Sequence, residues 1–271
     1  MLRLLKLEWS KFSKNNVIVL LTSFFALFFP ASLYIGKLFP DDLPAFLPGK
    51  QVFFNFPTVW EYLGYAGNWT VFFFMGVMII YTVTIEVSNK TMRQSIINGQ
   101  SRQQFFFSKY LTILVLCLII TLYYTIITLI VGFTSTPNPS LSLAFENDMA
   151  IPRFFLMSFG YMNFAIFLAF MFRKSGIAVF FYLTYVMIIE MLIKWLVGIN
   201  WLDLGVAVNF LPLNAIEDLM PMPWLHYADF FQNGDIDFPI LLTYTEACIA
   251  TAVYGLLFLG ISYFSFMKRD I

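Results

Sequence analysis

Residues 110–133 read YLTILVLCLIITLYYTIITLIVGF, twenty-four residues without a charge. About 20 predominantly apolar residues are needed to cross the hydrocarbon of a bilayer. A run of that length has to be helical there, because lipid offers no partner to backbone N–H and C=O groups. Five further stretches meet the same test: 17–36, 69–86, 154–172, 177–197 and 240–266. The expected fold is therefore all-α, a polytopic membrane protein with six transmembrane helices in a single domain. Composition agrees. Of 271 residues 60% are apolar and 12% charged, against about a quarter charged in soluble domains. With 34 Phe, 14 Tyr and 6 Trp, the chain carries more apolar surface than a core of this size hides from water. The two cysteines, Cys117 and Cys248, lie in apolar runs and read as small hydrophobes. A single histidine, His226, leaves little room for a His-based metal site.

The net charge of zero conceals a strong asymmetry. Arg3, Lys6, Lys11, Lys14, Lys90, Arg93, Arg102, Lys109, Arg173, Lys174, Lys268 and Arg269 all fall on one side of a six-span arrangement. They are 12 of the 16 basic residues, and the opposite loops hold most of the acids. By the positive-inside rule both termini are expected in the cytoplasm.

Residues 1–16 precede the first span. On a helical wheel Met1, Leu2, Leu5, Trp9 and Phe12 share a face, with Arg3, Lys6, Ser10, Ser13 and Lys14 roughly opposite. That pattern predicts an amphipathic interfacial helix lying on the leaflet, with a plain topogenic flank as the alternative. The loop at 200–239 is long and contains an apolar piece, Leu204–Leu213, too short to span. Short re-entrant helices between the fifth and sixth spans are expected there.

Residues 87–109, with Glu86 before them, join the second and third spans: EVSNKTMRQSIINGQSRQQFFFSK over 86–109. A tight turn would have sufficed. Instead the sequence predicts a short helix over about 90–98 with Met92 and Ile96 on one face and Gly99 as its stop. Ser101 and Gln104 then form an S-x-x-Q capping box for the next helix. A helix–Gly–helix elbow is a rigid basic protrusion suited to docking a soluble partner, and equally to simple anchoring by charge.

The Leu/Lys-Glu-Trp-Ser-Lys pattern near the N-terminus, six spans and this elbow together resemble the ABC-2 family of ABC exporter permeases. The motif positions are Glu86, Thr91–Met92–Arg93, Ser101–Arg102 and Lys109. The chain departs from the family at Lys90, where Gly is frequent, and at Gln100, where Pro is. The resemblance implies a transport subunit rather than an enzyme, in a bacterial inner membrane. It implies docking of a cytosolic ATP-binding subunit through the interfacial helix (Leu5, Trp9, Phe12) and the coupling loop (Glu86, Lys90, Arg93, Gly99, Ser101, Arg102, Lys109). A second permease, the same chain or another, would complete the path by alternating access. ATP and Mg would bind on the partner. The chain itself has no G-x-x-x-x-G-K-[ST] sequence to cradle phosphates. Lipid is the other expected partner, nucleic acid is not, and no catalytic or metal residues are assigned.

Charges within spans are functional candidates. Glu190 and Lys194, at i and i+4, are expected to pair, either on the translocation path or gate or as a structural ion pair near the headgroups. Glu246 is a third candidate for the path. The Phe-rich triplets 72–74, 105–107 and 180–182 either line a path or pack between helices and lipid. Asn68–Trp69–Thr70 matches a glycosylation sequon beside the membrane. Two rival functions remain open on sequence. An ion-coupled secondary transporter would need ionisable groups at the midplane, and only Glu190 approaches it. A membrane enzyme would need more than His226 with Asp229. A non-transporting scaffold of a membrane machine is a third.

Overall fold

Six helices are long and apolar enough to cross a membrane: Asn16–Leu38, Val59–Ser88, Arg102–Ser135, Ala150–Phe172, Ser175–Gly198 and Tyr244–Lys268. They are seen in a computed structural model that describes residues 8–38, 49, 53–202, 204–223 and 241–268. No strand occurs among the described residues. The predicted spans each fall on one of these helices. The largest difference is the second, which begins at Val59, ten residues before the apolar run. Glu61 and the Gly/Tyr-rich turns after it dilute the hydropathy there, but Val59, Trp60 and Leu63 are fully buried and carry the helix outward.

The fourth helix is the hub. It packs against the second, third, fifth and sixth, and most of its surface is buried, as is that of the second. The first and fifth are peripheral and present most of their apolar side chains outward. Polar side chains bind the hub to its neighbours. Asn163 accepts from the Tyr110 hydroxyl of the third helix at 3.1 Å and donates to the Gly255 carbonyl of the sixth at 2.7 Å. Such interhelical bonds from polar side chains hold membrane helices together where lipid offers no partner.

Two breaks in helix geometry, in the first and second spans, are answered by a neighbour. Pro30 cannot donate to Ala26, and the Tyr123 hydroxyl of the third helix takes that carbonyl at 2.7 Å. The second helix widens to π geometry over Val71–Gly76, where the buried Tyr182 hydroxyl donates to Phe72 O at 3.2 Å. A Cβ at Gly76 would collide with that Tyr182 ring and hydroxyl. Tyr124 stacks on Phe154 at 4.1 Å and donates to Trp60 O at 2.7 Å, while Trp60 Nε1 reaches Ala144 O at 2.8 Å. The aromatic triplets divide accordingly. Phe72, Phe105, Phe106 and Tyr182 are buried between helices, whereas Phe73, Phe107 and Phe180 face outward.

Candidate functional site

The elbow folds as a helix over Thr91–Ile97 between the second and third spans. It ends in a Schellman motif: Gly99 N–H bonds Ile96 O and Gln100 N–H bonds Ser95 O, both at 3.1 Å, with Gly99 at φ 97°. Met92 is buried and Ile96 packs beside it, which seats the elbow on the bundle. The capping box is present in full. Ser101 Oγ accepts from Gln104 N–H at 3.1 Å, and Gln104 Oε1 accepts from Ser101 N–H at 3.0 Å. Arg102 donates to Met267 O at 3.2 Å and Gln103 to the Tyr263 hydroxyl at 3.0 Å, so the elbow leans on the end of the sixth helix. Lys90, Arg93 and Ser101 are exposed.

Glu86 and Lys109 are placed differently from a solvent-facing docking set. Both are buried, and Lys109 Nζ lies between Glu86 Oε1 at 2.6 Å and Glu8 Oε2 at 2.5 Å. Lys11 bridges the same two acids at 3.1 and 3.2 Å. An acid in the last turn of a helix faces the negative end of its dipole, so Glu86 needs this compensation. Burial works against the charge of Glu8, yet Lys109 and Lys11 outweigh it and hold its carboxyl below the ordinary range. Burial likewise opposes the charge of Lys11, and Glu86 and Glu8 together carry it above its ordinary value. The four charges sum to zero and tie residues 8–12, which are helical, to the two helix ends that carry the elbow.

Glu8 stands in the Leu/Lys-Glu-Trp-Ser-Lys pattern but received no role of its own, because on a wheel it counts as one more polar residue. The sequence signal was its i,i+4 relation to Phe12, which is also buried. Trp9, predicted to share the face of Phe12, instead points outward at 63% exposure. Leu5, His226 and Asp229 lie outside the described residues.

A second polar site forms at the opposite end. Glu190 and Lys194 do not pair. The Glu190 carboxylate accepts the Leu213 and Asn214 amides at 3.1 and 2.5 Å, which are the free N–H groups opening the short helix Pro212–Glu217. Two charge-assisted bonds to a helix N-terminus outcompete one lysine. Lys194 turns to Asn214 Oδ1 at 2.7 Å. Asn214 Nδ2 reaches Asp218 Oδ2 at 3.0 Å, which also accepts Leu242 N–H at 2.9 Å. Burial pushes the Asp218 carboxyl up to about 7, against Leu242 N–H and Lys194. Two short helices, Gly205–Phe210 and Pro212–Glu217, therefore stand where the loop was expected to fold back.

Glu246 has a local duty. It accepts from Thr243 N–H and Thr243 Oγ1, and Thr243 Oγ1 accepts from Glu246 N–H: a T-x-x-E capping box for the sixth helix that the sequence displayed and the apolar run obscured. Asn68 is buried, its amide donating to Glu217 O and Met220 O at 3.1 and 3.2 Å, so in the folded chain it cannot accept a glycan. No group of His, Cys, Asp and Glu suited to a metal occurs among the described residues. An apolar cavity of about 560 Å³ opens between the first and second helices, lined by Phe28, Tyr65, Trp69 and Phe73 among others.

A family model described as "Protein of unknown function (DUF2705)" matches residues 45–271. The chain belongs to that family. The match takes in the elbow with Glu86 and Lys109, and the outer site with Glu190 and Lys194, but begins beyond Glu8 and the first helix. No curated protein matches the chain.

Proposed function

We propose that this chain is the membrane permease of an ATP-driven exporter. In this reading the elbow is the surface gripped by a separate ATP-binding subunit, and the basic end of the bundle faces the cytoplasm. The observation that carries it is the fixing of the elbow: a seven-residue helix closed by a Schellman motif, capped into the third helix and joined by ions to the N-terminal helix. A mere connection has no need of such rigidity. A part that receives force does, since displacement of the elbow then moves the second and third helices as one piece. Lys90 and Arg93 present charge to the partner, whereas Glu86 and Lys109, being buried, act by holding the elbow in place. The short helices before the sixth span would dip into the far leaflet and form part of the exit, with a second permease opposite. Six-helix permeases resembling the ABC-2 pattern share this layout, and the far-side charges then serve the gate's scaffold.

The test is purification of the tagged full chain from its native membrane in mild detergent. ATPase activity is expected to co-purify, and Arg93→Glu and Lys90→Glu are expected to deplete it at least severalfold with chain yield unchanged. A preparation free of ATPase under all mild conditions would overturn the exporter reading. Full ATPase retention by both variants would remove the elbow as its docking surface.

A further inference from the structure

The outer polar site contains a cavity of about 200 Å³ between the fifth helix and Pro212–Glu217, lined by Glu190, Lys194, Trp195, Asn214 and Glu217 with Val186 and Met191 below them. Sites for drug-sized ligands occupy about 300–1,000 Å³, so this one suits a smaller group. Its polar atoms are unequally engaged. Both Glu190 oxygens are held by backbone amides, and Asp218 Oδ2 by Leu242 and Asn214. Lys194 has three N–H donors and uses one, on Asn214. The Glu217 carboxylate has no side-chain hydrogen bond or ion pair among the described residues and is exposed. Besides the amide-held Glu190, Lys194 and Glu217 are thus a cation and an anion that border the same cavity, do not meet, and keep bonding capacity for a guest. That arrangement complements a dipolar guest carrying both charges.

Depth identifies the guest's surroundings. Counting from Ser175, Lys194 lies roughly 28 Å along the helix at 1.5 Å per residue, close to the thickness of the hydrocarbon. Trp195 is exposed at this level and Trp201 beyond it, as expected of an interfacial aromatic belt. Directly beneath, Met187, Ile188, Met191 and Leu192 form an exposed apolar strip on the fifth helix. A polar cavity at headgroup depth above an apolar track matches an amphiphile.

We propose that this cavity binds a zwitterionic phosphoethanolamine group, its phosphate on Lys194 and its ammonium on Glu217. The membrane lipid phosphatidylethanolamine and the soluble headgroup share that chemistry. The site does not depend on the exporter reading.

The experiment is lipid titration of the purified, delipidated full chain in detergent by native mass spectrometry, using phosphatidylethanolamine and phosphatidylglycerol. Lys194→Gln is expected to weaken both lipids about tenfold, the loss of one charge-assisted hydrogen bond, and Glu217→Gln to weaken phosphatidylethanolamine alone by a similar factor. Glu217→Gln changes an exposed group bonded to none of the described residues, so it keeps the fold even where Lys194→Gln does not, and an unchanged melting temperature verifies it. Displacement of the lipid by soluble O-phosphoethanolamine would support the headgroup alone as ligand, and its retention would support the tethered lipid. Wild-type affinity of Glu217→Gln for phosphatidylethanolamine, or equal loss for both lipids, would overturn the proposal.

Discussion

Lys109 is the residue on which the basic end turns. It is 2% exposed and lies between two carboxylates, so its removal leaves Glu8 and Glu86 buried with only Lys11. Whether such a cluster stabilises relative to an apolar core is a separate matter; breaking it on one side is costly. Lys109→Met is expected to lower unfolding free energy by about 3 kcal/mol, seen as a fall in melting temperature in detergent. An unchanged melting temperature would mean that water reaches the acids freely. Acid should act on the same cluster. Glu8 has a depressed carboxyl, so its contribution is full above its unfolded value of 4.5 and is lost as pH falls through the lower folded one. Asp218 runs the other way. Its carboxyl is raised from 3.8 to about 7, so the folded chain holds the proton more tightly, and that contribution fades as pH rises through this window. Asp218→Asn keeps an oxygen for the Leu242 amide and is expected to flatten the decline in melting temperature between about pH 4 and 7. A wild-type slope in that variant would relocate the titrating group.

At the scale of elements, the elbow shows why some features can be read from sequence and others not. Its Schellman end and its capping box are short-range, so Gly99, Ser101 and Gln104 announced them at fixed spacing. The ion cluster spans 101 residues between Glu8 and Lys109, and no spacing rule connects them. Glu190 misled for the same reason. Its i,i+4 neighbour Lys194 is visible in the sequence, while the amides of Leu213 and Asn214 that hold it arrive only through folding. Backbone strain within the elbow supplies a paired test. Gly99 sits at φ 97° with open space around its Cα, so Gly99→Ala introduces conformational cost without a clash, about 1 kcal/mol. Lys90 adopts φ 56° just before the helix, a conformation that glycine takes without penalty. Lys90→Gly is expected to stabilise the chain by up to about 1 kcal/mol while removing a charge from the elbow's exposed surface. Opposite shifts in melting temperature for the two variants would establish that backbone conformation, not side-chain contact, sets the elbow's ends.

For the whole molecule, orientation decides which end is called functional, and it follows from charge rather than from packing. The bundle would pack equally well either way up; Lys/Arg distribution breaks the symmetry, because basic loops resist transfer across the membrane. The end bearing residues 8–15, the elbow and Arg173–Lys174 carries most of the basic residues, and the end bearing Ser140–Met149 carries Glu146 and Asp148. Single cysteines can report this. Cys117 is buried and Cys248 half-buried, so both are first replaced by Ala to silence the background. Ser13 and Ser142 are exposed at opposite ends of the bundle, Ser13 before the first helix and Ser142 between the third and fourth. In intact cells a membrane-impermeant maleimide is expected to label Ser142→Cys and to spare Ser13→Cys until the membrane is permeabilised. The reverse pattern would place the elbow outside the cell, where no ATP-hydrolysing partner could reach it, and would move the search for function to the Glu190–Lys194 end.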